Sequence, residues 1–269
     1  TARAKGLYLF CYGVFFGCGA HKYLLQEKAK PNQQRKIMKN FKILSVLFAA
    51  SLATLSAGEP IQKVTSVDIY VSDIYSSSGG KPKYINVYDK INDLLMSSDV
   101  SNLQKAIKIV EDDPALVSPS ALMSIAARAY DLGLRDEAAF WFYAGKDRFI
   151  TFADVIDVKD PMFRSTMDIN LAFMKLVGDV INPYAFCDIK KQEEIATRSI
   201  AWVKAHPYEA IFMDRFPSKF SDRKAALAKS ESSLDEKLKK QSEYLADAKN
   251  RAEFERVRQE NNTNERFCW

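Results

Sequence analysis

Ser118–Arg148 reads SPSALMSIAARAYDLGLRDEAAFWFYAGKDR, and its spacing predicts two helices joined by a tight turn. Ser118 suits the N-cap of the first helix and Pro119 its first position. Leu122, Ile125, Ala126, Ala129 and Leu132 keep one face apolar at helical spacing. Gly133 breaks the run where a left-handed residue is needed. Asp136 and Glu137 open the second helix, and Lys146 and Arg148 close it, the order the helix dipole prefers. Between them AAFWFYAG is apolar on every side, so this helix has to be covered on more than one face. The hairpin is expected at the centre of a larger helical stack.

Ala126, Gly133, Ala138, Phe142 and Gly145 resemble a tetratricopeptide unit, with a small residue, a turn glycine, an alanine, an aromatic and a small residue in order. Ala138-x-x-Trp141-Phe142-x-x-Gly145 is also similar to half of a Sel1 repeat. The match covers Ser118–Arg148 alone. The usual proline after the second helix is absent, with Ile150 near its place, and no second copy is clear at a fixed period. The resemblance implies a mainly α fold of stacked antiparallel helical hairpins that binds another protein. It makes Trp141, Tyr143 and Arg148 the candidate partner-binding residues. Trp141 is expected in the core, with an exposed binding anchor as the alternative.

Charge is unevenly spread. Residues 1–57 hold nine of the 39 Lys and Arg and one of the 34 Asp and Glu, which leaves 30 basic against 33 acidic side chains in 58–269. The formal charge of +5 therefore comes from the leader, and the body has no global electrostatic attraction for nucleic acid. From Met38 the leader has the form of a secretory signal peptide. Lys39 and Lys42 precede an apolar run, Ile43–Ala53, and small residues up to Ala57 offer cleavage sites. The run is too short to span a membrane, and no membrane span is expected in the mature chain. Residues 1–37 read as translation upstream of the true start. The expected organisation is a signal peptide over 38–57, an extended or flexible arm over 58–84, a helical-hairpin domain over 85–217, and a charged helix with a docking tail over 218–269.

Along the arm, VTSVDIYV favours a short strand without an obvious partner, and SSSGGKPK (76–83) reads as a flexible break. Gly80-Lys81 lacks the earlier glycine of a phosphate loop, and Pro82 follows it. Helical pattern is expected from Ile85, with Ser101 capping a second helix that ends at Glu111–Pro114, whose carboxylates read as solvated charge. After an irregular connection over 150–159, Asp160-Pro161 starts a long helix. Its stripe of Phe163, Met167, Leu171, Met174, Val177 and Ile181 ends at Asn182-Pro183. Another helix spans 188–205. Pro207–Pro217 reads as a short helix between prolines. Ser233-x-x-Glu236 reads as a capping box opening a helix with a thin stripe of Leu234, Leu238, Leu245, Ala248 and Ala252. Phe267-Cys268-Trp269 is hydrophobic enough to dock on the body.

Catalytic sets are sparse. The mature part has one histidine, His206, which excludes two-histidine zinc motifs and reads as a helix-end residue. There is no G-x-S-x-G elbow and no glycine-rich dinucleotide loop. Asp154/Asp157 and Asp136/Glu137 are carboxylate pairs of a kind any charged chain contains. No catalytic, metal or cofactor-binding residue is assigned, and no cofactor is expected. Cys187 and Cys268 are the mature cysteines, an even number suited to an oxidising compartment. They are expected to pair with each other and pin the tail to the body; two free thiols, or Cys268 pairing between chains, are the alternatives. The leading expectation is an exported, periplasmic or secreted, non-catalytic protein that binds a protein partner, with an immunity or adaptor protein as its sharper form. The alternatives are a carboxylate-dependent envelope enzyme and a self-assembling envelope protein.

Overall fold

The computed structural model describes residues 60–71, 75–78, 81–85 and 88–269. The expected signal peptide, the residues upstream of it and Gly79-Gly80 lie outside the described residues. The fold is mainly α. A three-stranded antiparallel sheet, β1 (Tyr70–Val71), β2 (Tyr75–Ser78) and β3 (Lys81–Ile85), pairs in sequence order. The helices follow as α1 (Asn92–Met96), α2 (Val100–Asp112), α3 (Pro119–Asp131), α4 (Arg135–Val155), α5 (Arg164–Ala185), α6 (Ile189–Ala205), α7 (Arg223–Ala246), α8 (Ala248–Glu260) and α9 (Thr263–Phe267). Short 3-10 turns at Pro161–Phe163 and Glu209–Phe212 complete the order.

The α3–α4 hairpin is the centre. Ser118 Oγ accepts the Ala121 N–H, Pro119 opens α3, and Gly133 makes the turn at φ +81°. α4 is covered by α3, α5, α6 and α7, as its all-round apolarity requires. The approach is closest at two glycines. A Cβ on Gly145 would lie 2.9 Å from the Pro119 carbonyl oxygen and 2.8 Å from Met123 Cγ. One on Gly178 of α5 would lie 2.9 Å from Phe142 Cζ. Gly145→Ala should therefore force α3 and α4 apart and cost about 1–3 kcal/mol in urea unfolding, although alanine is the better helix former. A stabilised variant would show that the helices have room to spare.

Several boundaries differ from expectation. The break at 76–83 contains the facing ends of β2 and β3, with Ser78 opposite Lys81, and the end of the strand expected without a partner, Tyr70–Val71, pairs with β2. Ile85 closes β3 rather than starting a helix, and Asp99, not Ser101, caps α2. α4 does not stop at Arg148 but runs to Val155, leaving only 156–159 of the expected connection outside it. α5 passes through Pro183 to Ala185, because tertiary bonds hold its last turn: Arg258 Nη2 donates to the Pro183 carbonyl at 3.0 Å. α7 begins ten residues before Ser233, at Arg223, capped by Asp222; Ser233 Oγ instead donates to the Lys229 carbonyl within the helix. The charged segment is two helices, not one. Asp247 interrupts it with extended backbone, so Ala248 and Ala252 are exposed while Phe254 turns inward. The stripe's register is reset by that break. Leu227, Leu234 and Leu245 pack α7 on the body, and Gln241 is buried there as the donor to Gln192 Oε1 at 2.8 Å.

Three inward arginines gather loop and helix-end carbonyls. Arg128 donates to Leu95 O and Ser97 O and pairs with Asp131. Arg148 donates to Pro114 O, Val117 O and His206 O. Arg223 donates to Ile211 O, Met213 O and Phe216 O. Each satisfies carbonyls that helix ends and turns leave without partners. A guanidinium suits this because it presents five donors in a fixed fork.

Candidate functional site

The turn of the central hairpin opens into a cleft of about 690 Å³ lined by Gly133, Leu134, Arg135, Asp136, Glu137, Tyr184 and Trp269. Four segments meet there: the α3–α4 turn, the end of α5, α9 with its tail, and the extended arm before β1. The Arg135 guanidinium lies over three rings, 3.7 Å from the Trp269 ring centre, 5.3 Å from Tyr130 and 5.7 Å from Tyr184. Its Nη1 donates to the Trp269 backbone oxygen at 2.6 Å. Lys63 of the arm covers the Trp269 ring at 4.9 Å. Trp269 is still 45% exposed, so the cluster presents an aromatic face to solvent.

The acidic side of the cleft is built in. Asp136 accepts from Tyr184 Oη at 2.7 Å and pairs with Lys191 of α6 at 2.6 Å. Burial works to raise the Asp136 carboxyl, but the hydrogen bonds from Lys191 and Tyr184 win and hold it below its ordinary value. Burial and the bond to Asp136 push the Tyr184 hydroxyl well up, so it donates throughout the physiological range. Glu137 accepts from Trp141 Nε1 at 2.6 Å, which ties the cleft to the core.

The arm is locked from beneath. Tyr130 Oη donates to Val64 O, Val64 N–H donates to Arg266 O, and Val67 N–H donates to Asp131 Oδ1 at 2.7 Å. Val67 and Ile69 are buried. Burial pushes the Asp131 carboxyl up to about 6, against the pull of the Val67 N–H and of Arg128. An acid with a raised folded pKa keeps a proton in the fold that the unfolded chain has lost. Its contribution to stability therefore declines as pH rises from about 4 to about 6, and stays low above. Asp131→Asn, which keeps an acceptor for Val67, should remove that decline, worth at most about 3 kcal/mol. Urea midpoints of both proteins across this window measure it; a difference between them that does not change with pH would mean that Asp131 is ionised throughout.

Beside the cleft, Cys187 after α5 and Cys268 next to Trp269 form a disulfide, with Cα atoms 5.5 Å apart. It fastens the tail to the end of α5. Arg258 of α8, 5% exposed, donates to Asn264 Oδ1 and Pro183 O and lies 3.2 Å from Cys268 Sγ and 3.5 Å from Cys187 Sγ.

The residues expected to bind a partner are elsewhere. Trp141 is 0% exposed, Tyr143 3% and Arg148 0%, so none offers a surface to another protein. α4 turns these side chains into the bundle: Trp141 packs edge-on against Trp202, Tyr143 Oη accepts from Gln192, and Arg148 lies over Trp202 and Tyr208. The carboxylates named in the sequence make structural or surface contacts. Asp154 accepts from Ser230 of α7, Asp157 from the Lys159 N–H, and Asp113 pairs with Lys90. Asp147, buried in α4, pairs with Lys146 at 3.3 Å, and burial raises its carboxyl above the ordinary range. His206 Nδ1 lies 2.8 Å from Trp202 O at the end of α6. Arg135 is the residue the sequence reading missed. A cation two residues after a turn glycine, with an aromatic tail elsewhere in the chain, is its only signal.

Among the described residues, no group of three or more His, Cys, Asp and Glu side chains could hold a metal ion, and no helix is long and apolar enough to cross a membrane. No family model matches the chain, and no solved structure does. A Haemophilus influenzae protein described as uncharacterized is 39% identical over 233 residues, covering 87% of this chain and 89% of that protein.

Proposed function

The chain belongs to the same family as that Haemophilus influenzae protein, and we propose that it is an exported, non-catalytic protein-binding protein built on stacked helical hairpins. The observation that carries this reading is the cluster of exposed Trp269 with half-buried Tyr184 and Arg135 lining a cleft. Trp, Tyr and Arg are the residues enriched where protein interfaces concentrate their energy. The acidic groups and Lys191 around them supply a polar rim of the kind that gives an interface its orientation. Export is supported by the exposed disulfide, since such bonds persist in oxidising compartments. α7 spends its apolar edge on α4 and α6, which weighs against self-assembly through that helix.

Affinity capture with the purified protein tests the reading. A protein retained by the wild type should be lost from Trp269→Ala and Arg135→Ala, with at least about 2 kcal/mol, or roughly 30-fold, less affinity at each. Equal retention by both variants would move the interface away from the cleft. The partner's nature separates an immunity role from an adaptor role, because a toxin captured through the cleft selects the first.

A further inference from the structure

We propose that Cys187–Cys268 is a thiol–disulfide exchange site, and that its reduction by a dithiol protein releases Thr263–Trp269 and so dismantles the cleft at the hairpin turn. The second half rests on the reading of that cleft as a binding site.

Access comes first. Both cysteines are exposed, and Cys187 stands on the wall of two separate openings, of about 470 and 200 Å³, one toward α7 and one toward α8. An attacking thiolate therefore has an approach to Cys187 Sγ. The leaving group is prepared as well. Arg258 brings a guanidinium to 3.2 Å of Cys268 Sγ, and its own contacts to Pro183 O and Asn264 hold it there. A fixed cation favours the thiolate over the thiol, and a better leaving thiolate speeds exchange. Exposed disulfides are the labile ones.

The chemistry balances with a dithiol as reductant. Its thiolate bonds to Cys187 Sγ while the Cys187–Cys268 bond breaks, and the electron pair leaves on Cys268 Sγ, which then takes a proton. The second thiolate of the reductant displaces Cys187 Sγ from the mixed disulfide. The reductant departs oxidised, and the chain has gained two electrons and two protons as two thiols.

Release follows from what else holds the segment. α9 has five residues, too few to persist as a free helix. Its other anchors are the buried Phe267 and Thr263, the Arg258–Asn264 and Val64–Arg266 hydrogen bonds and the Arg135–Trp269 contacts. The backbone still tethers the segment to α8 after reduction, but without the cross-link these contacts alone have to hold it against α5. When the segment leaves, Arg135 loses the ring stacked on it, Lys63 loses Trp269, and the arm loses its bond to Arg266. Arm and tail should loosen together while α3–α7 stays folded.

Hydrogen exchange on the purified protein, oxidised and after dithiothreitol, tests this directly. Protection over 263–269 and around Val64 should fall at least tenfold on reduction, with α3 and α4 unchanged. Unchanged protection in the tail would overturn the proposal, and so would loss of protection throughout the helices, because a global staple is not a local release. In parallel, Arg258→Gln should slow reduction by dithiothreitol about tenfold at neutral pH; an equal or faster rate removes Arg258 as the group that stabilises the leaving thiolate. If that variant does not fold, the wild-type exchange data still decide the release. Neither readout involves a partner, so its failure is separate from failure of the partner-binding reading.

Discussion

Arg148→Met is expected to destabilise the protein by about 3–5 kcal/mol in urea unfolding, as loss of a buried charged donor does elsewhere. Arg148 is fully buried, and its two terminal nitrogens serve three carbonyls, those of Pro114, Val117 and His206. These belong to the α2–α3 connection and the end of α6, so one side chain ties both to the middle of α4. Methionine fills part of the volume and donates nothing, and each carbonyl left dry costs roughly 1–3 kcal/mol. Burial pulls the Arg148 guanidinium down to about 10, which leaves it a cation at neutral pH. Its charge is answered by those carbonyl dipoles and by the faces of Trp202 and Tyr208 at 4.8 and 5.6 Å. Arg148→Lys should recover little, because a point ammonium cannot reach carbonyls in three directions from one planar fork. A loss below about 1 kcal/mol for the methionine variant would mean that water takes over the carbonyls, and that Arg148 does not organise the junction.

That role explains why part of this fold was legible and part was not. Ser118, Pro119 and Gly133 act on their immediate neighbours, and their residue types state their positions. The α5 stripe is equally plain, since Phe163, Met174, Val177 and Ile181 face inward at helical spacing, although Leu171 is exposed. Arg128, Arg148 and Arg258 look like surface charge in a linear reading. What turns them inward is a set of carbonyls 31 to 75 residues away, and no local pattern records those. The same distance hides Gln241, which interrupts the apolar stripe of α7 because its partner, Gln192, lies on α6. β2 and β3 were missed for a different reason. Ser77, Ser78, Lys81 and Pro82 have low strand preference, and Gly-Gly in a serine-rich stretch reads as flexibility as readily as it reads as a hairpin signal. At the cleft, Phe267-Cys268-Trp269 announced a docking tail by composition, but where it docks is decided by the Arg135 guanidinium and by the end of α5.

Trp141→Ala should cost about 3–5 kcal/mol, the range for truncating a large buried aromatic. The ring is fully buried in α4, edge-on to Phe140 at 5.0 Å and to Trp202 at 5.3 Å. Alanine would open a large cavity where α4 meets α6, and close packing on several sides leaves little freedom to collapse into it. The indole N–H also donates to Glu137, whose carboxylate lines the cleft, so the variant loses a link between core and surface. Trp141→Phe separates the two effects. It keeps most of the packing and should cost less than half as much, with the remainder assigned to the Glu137 hydrogen bond and the smaller ring. Because domains of ordinary size hold about 5–15 kcal/mol in total, the alanine variant should remain largely folded in the cold and lose its structure well below the wild-type midpoint. Its folded fraction should bind a captured partner as the wild type does, since Trp141 is 0% exposed. Calorimetry and binding on the same preparation decide the matter. Reduced affinity with unchanged stability would make Trp141 an interface anchor after all, reached by an opening of α4 against α6, and the cleft at Trp269 would then be the wrong place to look for the partner.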